Sequence, residues 1–282
     1  MRNYVFVNGE FVPLEDARIS VADRGFLYGD GFFTTMRAEA GTVFFLKEHL
    51  GRLKSSCDAF RIRFPDQLSD FSLFKELLRV NDLLDKIAAV KIVITRGIKQ
   101  ELGLPYGDNP TYVVFARPYH PPLEAYKKGW KLVSFCFPRS SPISSHKSLN
   151  YLYNMWAREY AVQKGGDEAI LIGADGYVKE TSVGTILFQK DGRWFSPAGD
   201  DILPGITFQI LSKLWKERET AIEKKKVKLE DLLQADQVLI LNSLIGVVPV
   251  KKVDGYILPK FDPDFAAQCR RWLWHKISKE EK

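Results

Sequence analysis

Residues 144–151 read SSHKSLNY and join a predicted strand to a predicted helix near the middle of the chain. The apolar run at 130–137 is typical of a strand, and 150–163 has helical spacing that stops before two glycines. A lysine in such a junction, here Lys147, can point into a cleft. On physical grounds alone, a solvated surface charge is the commoner role for a lysine, so the position by itself assigns no function.

Before this junction the residue pattern predicts an α+β domain. The chain opens on a hairpin, with strands at 4–7 and 10–12 on either side of the Asn8-Gly9 turn. The segment 32–38 fits either a strand or a helix. Further strands are predicted at 42–46, 89–95 and 111–116, and helices at 48–60, 71–81 and 84–88.

After the junction the pattern predicts a second α+β domain. Its predicted strands are at 168–172, 185–189, 193–196 and 237–241, and its further helices are at 205–216 and from about 263. The segment RPYHPP at 117–122 breaks any regular element and indicates a linker. We therefore predict an N-terminal domain at 1–117, a linker at 118–124 and a C-terminal domain at 125–282.

The composition is that of an ordinary globular protein with an excess of positive charge. Of the 282 residues, 45% are hydrophobic and 27% are charged, and the net charge is +6. A nucleic-acid-binding protein is one interpretation of that charge. The densest basic run, at 223–228, is accompanied by no nucleic-acid motif, which favours a solvated face or the attraction of an anionic small molecule.

The cysteines, histidines and apolar runs predict a cytoplasmic protein that holds no metal and does not cross a membrane. Cys57, Cys136 and Cys269 form no CxxC pair, which is typical of reduced thiols, and Cys136 is predicted to lie in the core because its neighbours are apolar. The four histidines are scattered without ligand spacing. No apolar stretch approaches about 18 residues, and the first residues lack the long apolar segment of a signal peptide.

A helix start at 203–207, LPGIT, offers a second candidate site. The N-terminus of a helix carries backbone N–H groups without intrahelical partners, so it is suited to bind an anion. Most helix starts bind only water or their own cap, and Thr207 is a candidate N-cap.

Six segments, in the same order and across nearly the whole chain, resemble the class IV, or fold type IV, family of pyridoxal-5′-phosphate (PLP) enzymes. This resemblance implies an α+β fold of two domains, the smaller at the N-terminus and the larger, with a β-barrel-like core, at the C-terminus. It also implies a homodimer. The six segments are DRGFLYGDG at 23–31, EHLGRL at 48–53, HKSLNY at 146–151, ETS at 180–182, LPGIT at 203–207 and NSLIGVVPV at 242–250.

The resemblance assigns roles to individual residues. Lys147 matches the family lysine that binds PLP covalently, and Glu180 matches the carboxylate that faces the pyridine nitrogen. Burial beside a cation would lower the pKa of such a lysine and make its amine reactive. Arg52 matches the arginine on the cofactor phosphate. The other residues that the resemblance places at the cofactor are Tyr151, Ser182, Gly205, Ile206, Thr207 and Ser243.

Within the family, the chain most resembles 4-amino-4-deoxychorismate lyase, which releases p-aminobenzoate and pyruvate in folate biosynthesis. The segment FTTMR at 33–37 and the spacing from Lys147 to Tyr151 are lyase-like. The alternative is an amino-acid transaminase, specific for D-amino acids or branched-chain amino acids, that acts with a 2-oxo acid. Many relatives have other residues at the positions of Thr185 and Phe208, so these two positions do not indicate one subfamily.

The predicted substrate is a small amino compound that carries carboxylates. Arg37, Arg96 and Tyr28 are the candidate substrate contacts, and an ion pair is the alternative role for each arginine. A relative without PLP, used for binding or as a scaffold, is a further alternative. The presence of both Lys147 and Glu180 argues against it.

Overall fold

The computed structural model describes residues 3–218 and 220–280 and forms two compact units. The first unit is Met1–His120 together with His146–Asn150, and the second is Pro121–Ser145 together with Tyr151–Lys282. The ends of the predicted domains, at 1–2 and 281–282, lie outside the described residues. The predicted domain boundaries stay a prediction.

The first unit contains a six-stranded antiparallel sheet in the order β2-β1-β6-β5-β3-β4. Three helices accompany it. The strands are β1 Tyr4–Val7, β2 Glu10–Pro13, β3 Gly31–Glu39, β4 Thr42–Val43, β5 Ala88–Thr95 and β6 Thr111–Pro118, and the helices are α1 Arg24–Tyr28, α2 Leu46–Ala59 and α3 Ser72–Val80.

The ambiguous segment 32–38 is a strand, since it lies within β3. Its side chains alternate, so that Phe32, Met36 and Ala38 belong to the core while Phe33 and Arg37 project from the other face of the sheet. This alternation gives β3 one mostly apolar face, on which Thr34 is polar, and a second face that carries Phe33 and Arg37.

Two predicted elements of the first unit are wrong or shortened. The predicted helix at 84–88 is a set of turns, because Asp82 adopts a left-handed φ of 56° and β5 begins at Ala88. The strand predicted at 42–46 ends at Val43, because Phe45 has a left-handed φ of 56° and α2 begins at the next residue.

The second unit contains a nine-stranded mixed sheet in the order β12-β11-β10-β13-β14-β7-β8-β9, with β15 paired to β14. The strands are β7 Trp130–Ser134, β8 Glu168–Ile172, β9 Val178–Thr181, β10 Thr185–Lys190, β11 Arg193–Pro197, β12 Ile222–Lys225, β13 Gln237–Asn242, β14 Gly246–Val253 and β15 Tyr256–Ile257. The helices are α4 Leu123–Lys128, α5 Leu152–Gln163, α6 Ile206–Lys216, α7 Leu229–Leu233 and α8 Pro263–Glu280.

The two ends of this sheet curl toward each other. The amide of Val178 in β9 donates to the carbonyl of Val227, 2.7 Å away and two residues beyond β12. The expected β-barrel-like core is therefore confirmed. Its interior is filled by apolar side chains that include Ile186, Phe188 and Ile240.

Cys136 is exposed, so its predicted place in the core is wrong. It lies beyond the end of β7, where Phe135 takes the buried position and the next side chain points outward. In the part of the chain that the structure describes, no helix is long and apolar enough to cross a membrane. Within the same residues, no cluster of His, Cys, Asp and Glu side chains could hold a metal ion.

Candidate active site

Lys147 is held along β3 by the backbone of the junction in which it lies. The amide of Phe33 donates to the carbonyl of Lys147 at 2.8 Å, and the amide of Leu149 donates to the carbonyl of Gly31 at 2.9 Å. Ser148 forms a β-bridge with Phe32 between these two bonds. The junction thus pairs with the edge of β3, which fixes the point from which the Lys147 side chain starts.

The side chain of Lys147 lies against an aromatic ring. Its Nζ is 4.7 Å from the centre of the Phe33 ring, and the Nζ of Lys91 is 4.6 Å from the same centre. Lys91 is half-buried in β5, and burial, with the nearby charge of Arg117, holds the pKa of its ammonium group below the usual range. Two lysine ammonium groups therefore lie against one aromatic ring, and together they bring two positive charges that an anionic ligand could meet.

Sequence reasoning missed Lys91. A signal for it is present in the chain, since Lys91 is the one charged residue of the strand AAVKIVIT at 88–95. A lone charge in an otherwise apolar strand indicates either a structural ion pair or a site. Only the position of Phe33 in the fold distinguishes the two.

A buried hydrogen-bond relay connects His49, Thr34 and Arg52. Arg52 Nη2 donates to Thr34 Oγ1 at 3.2 Å, and Thr34 Oγ1 lies 2.6 Å from His49 Nδ1. The hydroxyl accepts from Arg52 and can still donate its one hydrogen to Nδ1, an arrangement that fits a neutral His49. Burial, and then the charges of Arg52 and Lys147, place the pKa of His49 well below its usual range.

This environment predicts an acid-sensitive fold. A histidine whose pKa is depressed in the folded state contributes stability above about pH 6.5, the unfolded value, and that contribution is lost as the pH falls. In His49→Gln, the fall in the free energy of unfolding below that pH should be shallower by up to about 1.4 kcal/mol per pH unit. Chemical denaturation at several pH values measures this slope.

His120 provides the matched control for that measurement, because it is an exposed histidine of the same unit. His120→Gln should leave the acid slope unchanged. Equal slopes in the wild type and in His49→Gln would contradict a neutral His49.

The start of α6 has the properties of an anion site. Gly205 is the N-cap with an extended backbone, no side chain caps the helix, and the first turn contains no acidic residue. A Cβ at Gly205 would lie 2.5 Å from Thr185 Oγ1, so any larger residue here would force the Thr185 side chain to move. Thr207 is the second residue of the helix and not its N-cap, so the candidate N-cap role of Thr207 is wrong.

The other predicted cofactor residues of the second unit lie on strand ends and turns. The Tyr151 hydroxyl donates to the Ser182 carbonyl at 2.8 Å, while the Ser182 hydroxyl donates to the carboxyl group of Glu168. Glu180 is half-buried in β9, opposite Leu171 of β8. Ser243 lies in the turn between β13 and β14.

Arg96 is not placed to bind a substrate. Its side chain is fully buried and pairs with both oxygens of Asp30, at 2.8 and 3.0 Å, while Nη1 donates to the carbonyl of Pro105 at 2.6 Å. Arg24 donates to the same carboxylate. The substrate assignment for Arg96 is therefore replaced by the alternative, a structural ion pair, which here lies within the first unit.

The remaining substrate candidates differ in their surroundings. Arg37 is nearly buried on the Phe33 face of β3 and donates to Glu39 at 2.8 Å. Tyr28 is exposed at the end of α1, with the guanidinium of Arg24 5.1 Å from its ring centre. Tyr28 is accessible to a ligand, whereas Arg37, at 3% exposure, is nearly as enclosed as Arg96; both stay candidates.

Curated relatives cover almost the whole chain. A putative branched-chain-amino-acid aminotransferase of Methanocaldococcus jannaschii is 37% identical over 90% of this chain and 89% of its own length. A D-alanine aminotransferase of Staphylococcus epidermidis is 31% identical over 89% of both chains. The aminodeoxychorismate lyase of Bacillus subtilis is 30% identical over 89% of this chain and 86% of its own.

Solved structures and a family profile agree with these relatives. The branched-chain amino acid aminotransferase of Escherichia coli has a TM-score of 0.89 and 25% identity over 99% of this chain and 96% of that one. This likeness confirms the fold type IV architecture. The profile of amino-transferase class IV matches residues 31–253. The position of Lys147 beside β3 and the start of α6 are consistent with this family. The chain therefore belongs to the class IV aminotransferase family.

Proposed function

We propose that this protein is a 4-amino-4-deoxychorismate lyase that depends on PLP and releases p-aminobenzoate and pyruvate for folate biosynthesis. The observation that carries the proposal is the pair of lysines, Lys147 and Lys91, against the ring of Phe33. A flat six-membered ring that bears carboxylates needs an apolar surface beneath it and cations beside it. The FTTMR segment at 33–37 supplies that ring and supports the same choice.

The donor groups of the chain fit PLP, the cofactor of this family. The uncapped start of α6, without acidic residues in its first turn, suits a phosphate. Glu180 would keep the pyridine nitrogen protonated. When bound, PLP supplies an electron sink for the negative charge that develops at the substrate carbon bearing the amine. The groups that would hold the phosphate are Arg52, Gly205, Ile206, Thr207 and Ser243.

Lys147 has two tasks in this proposal. Its Nζ would hold the cofactor covalently, and the same amine, once free, would accept the proton from the amine-bearing carbon of the substrate. Loss of that proton together with the ring carbon–oxygen bond to the enolpyruvyl group would make the ring aromatic, and the departing enolpyruvate would take up a proton to become pyruvate. Lys91 and Arg37 would bind the carboxylates and keep that carbon facing Nζ.

Product analysis tests the proposal. The purified protein is loaded with PLP and given aminodeoxychorismate without any 2-oxo acid. We expect p-aminobenzoate and pyruvate in equal amounts, over many turnovers. Absence of p-aminobenzoate, together with amino transfer from an amino acid to a 2-oxo acid, would overturn the lyase assignment.

An amino-acid transaminase is the second candidate. The 37% identity to a putative branched-chain-amino-acid aminotransferase favours it, and so does the KSLN spacing that the chain shares with D-amino-acid aminotransferases. In that reaction Lys147 would return the proton to the cofactor side, and a 2-oxo acid would be required for turnover. L-leucine and D-alanine, each with 2-oxoglutarate, distinguish the two specificities.

We further propose that the protein is a cytoplasmic homodimer. The helix α5 exposes Leu152, Met155 and Trp156 at a spacing that places them on one face, which is typical of a surface that binds another protein chain. The cysteines of the described chain are all free thiols, as expected in the cytoplasm. Sedimentation equilibrium should give twice the mass of one chain, and Met155→Glu should lower it.

A further inference from the structure

Glu168, the first residue of β8, is a fully buried carboxyl group to which the proposed reaction gives no role. Its Oε1 accepts from the amide of Ala169 at 2.9 Å and from the amide of Ser182 at 3.0 Å. The Ser182 hydroxyl donates to the same oxygen in a short bond. One carboxyl oxygen thus binds three donors from two neighbouring strand ends.

The second oxygen is in a different situation. Among the residues that the structure describes, Glu168 Oε2 has no hydrogen-bond partner. The nearest cation is Arg158, whose Nε is 4.0 Å away and whose side chain is half-exposed. A buried carboxylate with one unsatisfied oxygen costs more than a neutral acid whose O–H lacks an acceptor, because burying a charge is more unfavourable than burying an unpaired hydroxyl. Consistent with this, burial raises the pKa of Glu168 despite the bonds from Ser182 and Ala169.

Ser182, which is hydrogen-bonded to Glu168, also binds residues at the start of α5. Its carbonyl accepts from the Tyr151 hydroxyl at 2.8 Å and from Asn154 Nδ2 at 3.0 Å. The turn that follows is closed by Thr181, whose amide and hydroxyl donate to the carbonyl of Gly184. The end of β9, two residues past Glu180, is therefore connected through Ser182 to the start of α5.

We propose that Glu168 is an uncharged positioning residue, which fixes Ser182 and so directs the Tyr151 hydroxyl and the end of β9 that carries Glu180. The carboxyl group acts through Ser182 and does not touch the cofactor. The effect of Glu168 on cofactor binding rests on the proposed function, whereas the protonation state of its carboxyl group does not.

The first arm of the test uses the protein without cofactor. A carboxyl group whose folded pKa is raised contributes stability below about pH 4.3, the unfolded value, and loses it as the pH rises through the folded pKa. Glu168→Gln keeps the acceptor and mimics the neutral acid. Relative to this variant, the Tm of the wild type should fall by about 2–3 °C per pH unit in that window.

The matched control is Glu159→Gln, which makes the same change at an exposed glutamate of α5. Its Tm should follow that of the wild type at every pH. If Glu168→Gln instead lowers the Tm by the same amount at every pH, Glu168 is ionised and the proposal is overturned.

The second arm measures PLP binding by equilibrium dialysis and the visible absorbance band of the bound cofactor. We expect Glu168→Gln to match the wild type within about threefold in Kd, and Glu168→Leu to bind about tenfold more weakly with a shifted band. Equal binding and equal spectra for the two variants would overturn the positioning role. A wild type that binds no PLP would refute the proposed function alone, because the first arm still decides the charge of Glu168.

Discussion

Lys147→Ala is expected to lower kcat by a factor of about 10²–10⁴ while the fold persists. The loss has a chemical cause, since alanine has no amine to move the proton. The fold should persist because the junction is held by the backbone bonds from Phe33 to Lys147 and from Leu149 to Gly31, neither of which uses the lysine side chain. Steady-state kinetics with circular dichroism measures both quantities.

A second lysine variant controls for the loss of a positive charge. Lys128 is exposed on α4, where it pairs with Glu124. Lys128→Ala should keep full activity. Activity in Lys147→Ala within a factor of about three of the wild type would contradict a catalytic role for Lys147.

Arg96→Leu is expected to destabilise the fold by about 3–5 kcal/mol, because it removes two charge-assisted hydrogen bonds from the carboxylate of Asp30 and leaves only Arg24 beside it. Arg96 has no exposed surface, and Asp30 is only 11% exposed. The pKa of Asp30 is lowered by its hydrogen bonds to Arg96 and Arg24, although burial acts in the opposite direction. Urea denaturation at neutral pH measures the effect.

The exposed pair Arg63–Asp66 is the matched control for this second prediction. Its side chains are 58% and 82% exposed, so Arg63→Leu should cost at most about 1 kcal/mol. The account of Arg96 is contradicted if Arg96→Leu has wild-type stability and only a raised KM. That result would restore Arg96 as a substrate contact.

The elements that sequence alone predicted are those whose side-chain pattern is set locally. The Asn8-Gly9 hairpin follows from residues that tolerate a positive φ, and the structure gives φ of 50° and 104° there. The helix α2 follows from apolar spacing, and the start of α6 from Pro204-Gly205. In each case the information lies within about a dozen residues.

The parts that sequence did not predict depend on partners far along the chain. The ion pair of Arg96 is invisible in the sequence because its partner, Asp30, lies 66 residues away and no local pattern connects the two. Lys91 became a candidate site residue only because the structure places its Nζ against the Phe33 ring on the neighbouring strand. Glu168 reads as an ordinary acidic residue until β8 and β9 bring Ser182 beside it. Family motifs indicate which residue types recur, but only the folded structure shows which side chains contact one another.

The most direct test of the central claim is to find where the cofactor is attached. The protein is loaded with PLP, reduced with sodium borohydride, digested and analysed by mass spectrometry. The account predicts one pyridoxyl phosphate adduct, on the peptide that contains Lys147. An adduct on another lysine, such as Lys91, or no adduct at all, would contradict it.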